Sequence, residues 1–309
     1  MNKKGLALIL GSSILVLGVS ALSITGVLNK GKTEQTLSQN NDLIESSSTD
    51  TSSLDIGNIV KEELYSEGNG RRIYGYITAP KNYKENKLPT IIISHGFGGL
   101  AERGDYYAQN LAKEGYVVYS FDFMGGNRNS RSGNNTLAMS VFTEMDDLDV
   151  VVKNLQEQIF VDKNNIFLLG QSQGGVVSTM EGAKLKDEIK GLILVFPAFV
   201  LFDDARDVFK SVAEIPEVYN HRGNNVGRVY FEKSLDYDIF KDMKDYKGKV
   251  LIVHGTNDNI APISYSRRAI ETFSNATLKE ILGAGHGFNT RQQEETQKYI
   301  NEFLKESIR

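Results

Sequence analysis

An α/β fold built on a mostly parallel sheet is what the sequence predicts, and three observations predict it. Near-continuous apolar runs recur at Thr90-Ile91-Ile92-Ile93-Ser94, Tyr116-Val117-Val118-Tyr119-Ser120-Phe121, Ile166-Phe167-Leu168-Leu169, Leu192-Ile193-Leu194-Val195-Phe196 and Val250-Leu251-Ile252-Val253. Strands that read this way are buried on both faces, as in parallel sheets covered by helices. Segments of helical periodicity stand between them, notably Ser140 to Gln158, where Val141, Met145, Leu148, Val151, Val152 and Leu155 share one face. Finally, the run at 166–169 passes straight into Gly170-Gln171-Ser172-Gln173-Gly174, a Gly-x-Ser-x-Gly turn of the kind that joins a strand to a helix.

Composition bounds the rest. At 309 residues the chain can bury one large α/β domain with a short appendage. It has no cysteine, which excludes disulfides, a thiolate nucleophile and Cys-based metal sites. A net charge of −4 with scattered Lys and Arg argues against nucleic acid as a partner.

Lys3-Lys4 precede an uncharged run from Gly5 to Leu28, long enough to cross a bilayer, which needs about 20 apolar residues. Three readings stand: an uncleaved membrane anchor with an exported body, a signal peptide cleaved near residue 22 after Val19-Ser20-Ala21, or a buried core helix. The stretch from Thr33 to Ser53 has no periodicity and little to bury, so it reads as a flexible tether. The expected organisation is therefore an anchor or signal over 1–32, a polar linker over 33–54 and a catalytic domain over 55–309.

Taken in order, Ile59 to Ser66 and Arg72 to Thr78 alternate about Gly68-Asn69-Gly70, the mark of a β-hairpin at the sheet edge. The first buried strand follows Pro89 and ends in His95-Gly96-Phe97-Gly98-Gly99. A helical pattern from Glu102 to Ala112 and the strand at 116–121 complete a βαβ unit. Asp122 to Thr136, rich in Gly, Asn, Arg and Ser, reads as a loop. On the helix that follows, Glu144, Asp146, Asp147 and Asp149 read as a solvated face. Beyond the strand ending at Phe196 the alternation breaks, and the fifty residues from Pro197 to Tyr246 exceed an ordinary crossover; they predict an inserted cap over the carboxyl edge of the sheet. The alternation resumes with Val250 to Val253, a helix over Ser264 to Phe273, a strand over Thr277 to Leu282, and a closing helix over Gln292 to Ile308.

A serine hydroxyl needs a general base, and the base works best when a buried carboxylate fixes its tautomer. The chain has four histidines. His221 lies in the cap beside Arg222 and reads as exposed; His95 and His254 follow strands directly and suit tight turns. His286, between glycines after the last strand, is the base by elimination and position. Asp258, in the loop after Val250–Val253, is the acid, and the order Ser172, Asp258, His286 is the one a Gly-x-Ser-x-Gly fold requires. The oxyanion hole needs two N–H donors, and Gln173 and Phe97 are placed to supply them.

The chain from about Ile59 to Arg309 resembles the α/β-hydrolase superfamily, and within it the bacterial cinnamoyl or feruloyl esterase-like and serine aminopeptidase-like hydrolases. The resemblance rests on His95-Gly96-Phe97-Gly98-Gly99, Gly170-Gln171-Ser172-Gln173-Gly174-Gly175, His254-Gly255-Thr256-Asn257-Asp258 and Gly285-His286-Gly287-Phe288. It implies an eight-stranded, mostly parallel sheet with helices on both faces, a cap insertion after the sixth strand (here 197–246), and ester hydrolysis through an acyl-enzyme. Carried over, Ser172 is nucleophile, His286 base, Asp258 its orienter, and the amides of Phe97 and Gln173 the hole. The loop Met124-Gly125-Gly126-Asn127-Arg128-Asn129-Ser130 departs from the Gly-x-Gly-x-Ser of many relatives, and most intracellular members lack the N-terminal run.

Phe97 with the cap's Phe199, Phe202, Phe209, Tyr219 and Tyr230 is expected to line an apolar pocket for a small-molecule ester of a short-acyl or aromatic acid. Two rivals remain: an exported peptidase, with Asp203, Asp204 or Glu214 anchoring a substrate amine, and an inactive binding module at the cell surface. No cofactor or metal is implied, because the histidines and acids lack ligand spacing.

Overall fold

The computed structural model describes residues 54–308, residue 56 excepted, so the apolar run and almost all of the polar tract lie outside the described residues. The domain opens with the expected hairpin, β1 (Ile59–Gly68) and β2 (Arg71–Pro80). Asn69 and Gly70 both take positive φ, 51° and 74°, the geometry of a tight primed turn that Asn-Gly favours.

The chain then alternates. β3 (Leu88–Ser94), α1 (Asp105–Lys113) and β4 (Val117–Phe121) form the first βαβ unit. α2 (Val141–Gln156) starts at Ser140, whose hydroxyl accepts from the Thr143 N–H while the Thr143 hydroxyl accepts from the Ser140 N–H, a reciprocal cap. β5 (Val161–Gln171), α3 (Gln173–Leu185) and β6 (Gly191–Val195) follow. The insertion carries α4 (Leu201–Val208), a small separate hairpin of β7 (Val218–His221) and β8 (Asn224–Gly227), and α5 (Val229–Glu232). α6 (Ile239–Asp245), β9 (Lys249–Gly255), α7 (Ile263–Thr272), β10 (Ala276–Ile281) and α8 (Thr290–Ile308) complete the domain.

Eight strands pair in the order β1-β2-β4-β3-β5-β6-β9-β10, and only β2 runs against the others. Alternate residues of the central strands feed two cores. Ile92, Leu168, Leu192 and Ile252 pack beneath α2, α3, α6 and α7, while Ile93, Leu169, Ile193 and Val253 pack beneath α1 and α8. Burial on both faces explains why these strands read as unbroken apolar runs. Among the described residues no helix is long and apolar enough to cross a membrane.

Two expectations need correction. The acids of α2 are not a solvated face: Glu144, Asp147 and Asp149 are buried, and only Asp146 reaches solvent. The helix is covered on one flank by the β1–β2 hairpin and on the other by α3. Each buried carboxylate is paired: Asp147 with Arg71 at 2.6 Å and the Met124 N–H at 2.8 Å, Asp149 with Lys153 and Lys184, and Glu144 with Gln173. The insertion also ends earlier than Tyr246. Ile239, Phe240, Met243 and Tyr246 belong to the main core, and α6 packs against α3 and α7, so it is the ordinary crossover helix that leads into β9.

Candidate active site

Ser172 closes β5 and precedes α3 with φ 53° and ψ −117°, a backbone region that L-residues avoid. Glycines make the turn possible because neighbouring backbone leaves no room for a side chain. A Cβ on Gly170 would lie 2.3 Å from the Gly174 oxygen, and one on Gly174 would lie 2.3 Å from the Ser94 oxygen at the end of β3. Since backbone rather than a flexible side chain stands in the way, Gly174→Ala is expected to lose on the order of 3 kcal/mol of stability, read by chemical denaturation, and nearly all activity. An unchanged midpoint would show that the turn tolerates what the geometry forbids.

The loop after β10 carries His286 between Gly285 and Gly287. The imidazole stands edge-on to Phe196, centroids 5.0 Å apart, and Phe196 is in turn flanked by Phe288. Its Nε2 is 2.8 Å from Ser172 Oγ and its Nδ1 is 2.8 Å from Asp258 Oδ2. The buried Asp258 carboxylate is saturated: Oδ1 accepts the N–H groups of Ile260 at 2.9 Å and Ala261 at 2.8 Å, and Oδ2 also takes His254 Nε2 at 3.2 Å. Burial alone would raise its pKa. The hydrogen bonds from His254, His286, Ala261 and Ile260 outweigh burial and hold the carboxyl far below the usual range. Ser172 Oγ can therefore pass its proton to an imidazole whose positive form meets a fixed negative charge.

The three residues expected to act together are brought together, and so are the donors expected beside them. Phe97 and Gln173 both line the cavity at Ser172. A Cβ on Gly96 would come within 3.0 Å of Ser172 Cβ, so the Phe97 loop lies directly against the serine. The Gln173 N–H is at the start of α3, where helix geometry provides no acceptor. His95 braces this loop, its Nδ1 donating to the Gly96 oxygen and its Nε2 accepting the Phe123 N–H; burial lowers its pKa and keeps it neutral. Asn127, from the loop that departs from the family pattern, donates to the Gly98 oxygen at 2.6 Å.

Ser172 and His286 open into a cavity of about 450 Å³. Of the six aromatics expected to line it, Phe97 and Tyr230 do; Phe199 and Phe202 pack in the main core, and Phe209 and Tyr219 form the cap's own cluster with Phe231. Phe196 and Phe231 line it instead, with Leu201 and Val200 of the cap. His221 is not exposed as expected. It is half-buried against Phe97 and Tyr230, each 5.2 Å away between centroids, and burial followed by the neighbouring Arg222 charge lowers its pKa to about 4. Of the candidate amine anchors, Asp204 reaches the cavity and is paired with Arg222 at 3.5 Å. Asp203 is held by Arg206 and Tyr265, and Glu214 caps Lys210 and Ser211 away from it.

Further contacts at the site go beyond what the sequence marks. His254, expected only in a tight turn, also reaches Asp258 Oδ2; its spacing of four from Asp258 is the available signal. Glu144 and Tyr230 converge on the Gln173 side chain, and no local pattern marks that meeting. Burial raises Glu144 from 4.5 to about 8, against the hydrogen bond from Gln173 that lowers it. A carboxyl with a raised folded-state pKa contributes most below its unfolded value, and that contribution is lost as pH rises through the folded one. Glu144→Gln should therefore gain stability relative to the parent between pH 4.5 and about 8, then hold it, as followed by urea midpoints. A difference that did not vary with pH would mean that Glu144 does not titrate in this window.

A serine, an imidazole and a buried carboxylate hydrogen-bonded in line at the carboxyl edge of a parallel sheet form the arrangement that serine hydrolases use. The chain belongs to the α/β-hydrolase superfamily and is a serine ester hydrolase of the acyl-enzyme type. A family described as serine aminopeptidase, S33, matches residues 85–224, and one described as TAP-like protein matches residues 232–308. Est1E from Butyrivibrio proteoclasticus with ferulic acid bound superposes with a TM-score of 0.71 at 27% identity, covering 79% of this chain and 99% of that one. The AB hydrolase superfamily protein YisY of Bacillus subtilis is 23% identical over 258 residues, 69% of this chain and 90% of its own. A monoglyceride lipase of Rattus norvegicus is 27% identical over 128 residues, 40% of this chain and 39% of its own.

Proposed function

We propose that the chain hydrolyses esters of short-acyl or aromatic acids, with Ser172 as nucleophile, His286 as base and then acid, and Asp258 as its orienter. In this reading Ser172 Oγ attacks the ester carbonyl as its proton passes to His286 Nε2. The carbonyl oxygen becomes an oxyanion facing the N–H groups of Phe97 and Gln173. Collapse expels the alkoxide, which takes the proton from His286, and the acyl group stays on Ser172. Water then attacks the acyl-enzyme with His286 again as base, releasing the acid.

The observation that supports this most is the unbroken line of 2.8 Å hydrogen bonds from Asp258 through His286 to Ser172 at the floor of an aromatic-walled cavity. Ferulic acid in the related Est1E favours an aromatic acid among the acyl groups. A panel of p-nitrophenyl acetate and butyrate, methyl ferulate and aminoacyl nitroanilides tests the reading on the purified protein. Esters should be cleaved and nitroanilides spared; faster nitroanilide cleavage would move the assignment to an aminopeptidase. Asp204 keeps that second reading in view, but its charge is already balanced by Arg222, which leaves a substrate amine without a free carboxylate partner. An inactive module would fail to react with a fluorophosphonate.

The apolar run from Gly5 to Leu28 is proposed to hold the enzyme at the membrane with its catalytic domain outside, or to be removed as a signal peptide. Fractionation gives a full-length product in membranes in the first case and a shortened one in the supernatant in the second. A full-length cytosolic product would rule out both.

A further inference from the structure

The side chain of Gln173 is buried and clamped at both ends. Its Oε1 accepts the Tyr230 hydroxyl at 2.7 Å, and its Nε2 donates to Glu144 Oε2 at 2.8 Å. Tyr230 is 3% exposed and Glu144 1%, so neither bond competes with solvent. The three residues come from different parts of the fold: Glu144 from α2, Gln173 from the first position of α3, and Tyr230 from α5 in the insertion.

The placement is informative because Gln173 follows the strained serine directly. The direction of its N–H depends on how the first turn of α3 is held, and a side chain tied to two other elements prevents that turn from rotating. Tyr230 also stands edge-on to Phe97, with centroids 5.6 Å apart. One cap residue thus touches both residues whose N–H groups face the reacting carbonyl oxygen. An apolar trio of equal volume would fill this space without the penalty of desolvating a carboxyl, whose raised pKa registers that penalty. Retaining polar groups here points to a positional role.

We propose that Tyr230 and Glu144 are positioning residues that set the Gln173 and Phe97 N–H groups against the developing oxyanion, so that the seating of the cap controls the strength of the hole. The inference rests on the site reading proposed above. It requires that Tyr230 and Glu144 act on the tetrahedral state more than on the bound ester, which separates it from a role in packing or substrate affinity.

The test uses the full chain with Tyr230→Phe, Glu144→Leu and Glu144→Gln, assayed on p-nitrophenyl butyrate. Tyr230→Phe and Glu144→Leu should lower kcat by about 10- to 100-fold, short of the 100- to 1,000-fold of losing an oxyanion donor, and leave KM within about threefold. Glu144→Gln keeps an oxygen for Gln173 Nε2 and should recover most of what Glu144→Leu loses. An aryl trifluoromethyl ketone, to which Ser172 Oγ adds to form a hemiketal oxyanion while the proton passes to His286, should lose affinity in parallel with kcat/KM. If Glu144→Leu does not fold, Tyr230→Phe, which removes one oxygen, carries the test. A change confined to KM, an unchanged kcat, or Glu144→Gln no better than Glu144→Leu in a folded pair would overturn the inference. Parent protein that forms no ketone adduct would overturn the site reading and this inference with it; adduct formation with equal affinity in the variants would overturn the inference alone.

Discussion

Ser172→Ala is expected to lose ester turnover by about a million-fold in kcat while unfolding at nearly the same denaturant concentration as the parent. The large first effect follows from removing the atom to which the acyl group is transferred; among the described residues no other hydroxyl is hydrogen-bonded to His286 Nε2. The small second effect follows from the backbone. Residue 172 has φ 53° and ψ −117° whether its side chain is CH₂OH or CH₃, so the strain is common to both proteins. Ser172→Gly should separate the two contributions, being equally inactive but more stable by about 1 kcal/mol because glycine enters that region without strain. Substantial ester hydrolysis by Ser172→Ala, measured on protein freed of host esterases, would overturn the assignment. A stability loss of several kcal/mol would instead mean that the hydroxyl is part of the turn's structure.

How much of this could be read from the chain depends on the range over which each signal acts. Ser172, Asp258 and His286 were legible because each stands in a short run whose backbone demands are local: two glycines that admit a strained turn, and loops that follow strands directly. The parallel sheet was legible for a similar reason, since burial on both faces writes itself as unbroken apolar residues. Glu144, Asp147 and Asp149 were misread because acids on a helix look alike whether the flank is bare or covered. What covers this flank is the β1–β2 hairpin, about seventy residues earlier, and α3, about thirty later. His221 failed in part for the same reason, its burial being decided by Phe97, on a loop far earlier in the chain, together with Tyr230 on the neighbouring α5. The end of the insertion was misplaced because the apolar pieces of α6 resemble those of the cap, and Phe199 and Phe202 of the insertion reach the main core too; the packing of α6 against α3 and α7 is what tells it apart.

Asp258→Asn is the second change with a large expected effect, a fall in kcat of about 10,000-fold with the fold retained. Its cause is the completeness of the carboxylate's partners. Oδ1 faces two backbone N–H groups and Oδ2 faces two imidazoles, so all four neighbours are donors. An asparagine must turn its NH₂ toward one side. Turned toward Ile260 and Ala261, it opposes two donors that cannot move without breaking the loop. Turned toward the imidazoles, it asks each to present a lone pair. His254 need not comply, because its Nε2 keeps its proton on the Ala261 oxygen at 2.8 Å and loses only the longer 3.2 Å contact to Oδ2. His286 complies only by moving its proton to Nε2, where the lone pair that takes the serine proton must be. The second orientation is the cheaper for the structure and the fatal one for the chemistry. The variant should therefore bind ester with nearly unchanged KM and fold normally. Nitrogen NMR of the imidazole should report His286 protonated on Nε2, in contrast to Nδ1 in the parent. Asp258 also supports the fold through its depressed pKa. That contribution is complete above its unfolded value of 3.8 and is lost as pH falls below it, a loss the asparagine variant should not show. Retention of more than about a tenth of the parent kcat would mean that His286 keeps its working tautomer without the carboxylate, and the hydrogen-bonded line from Asp258 to Ser172 would then be structural rather than part of the proton transfer.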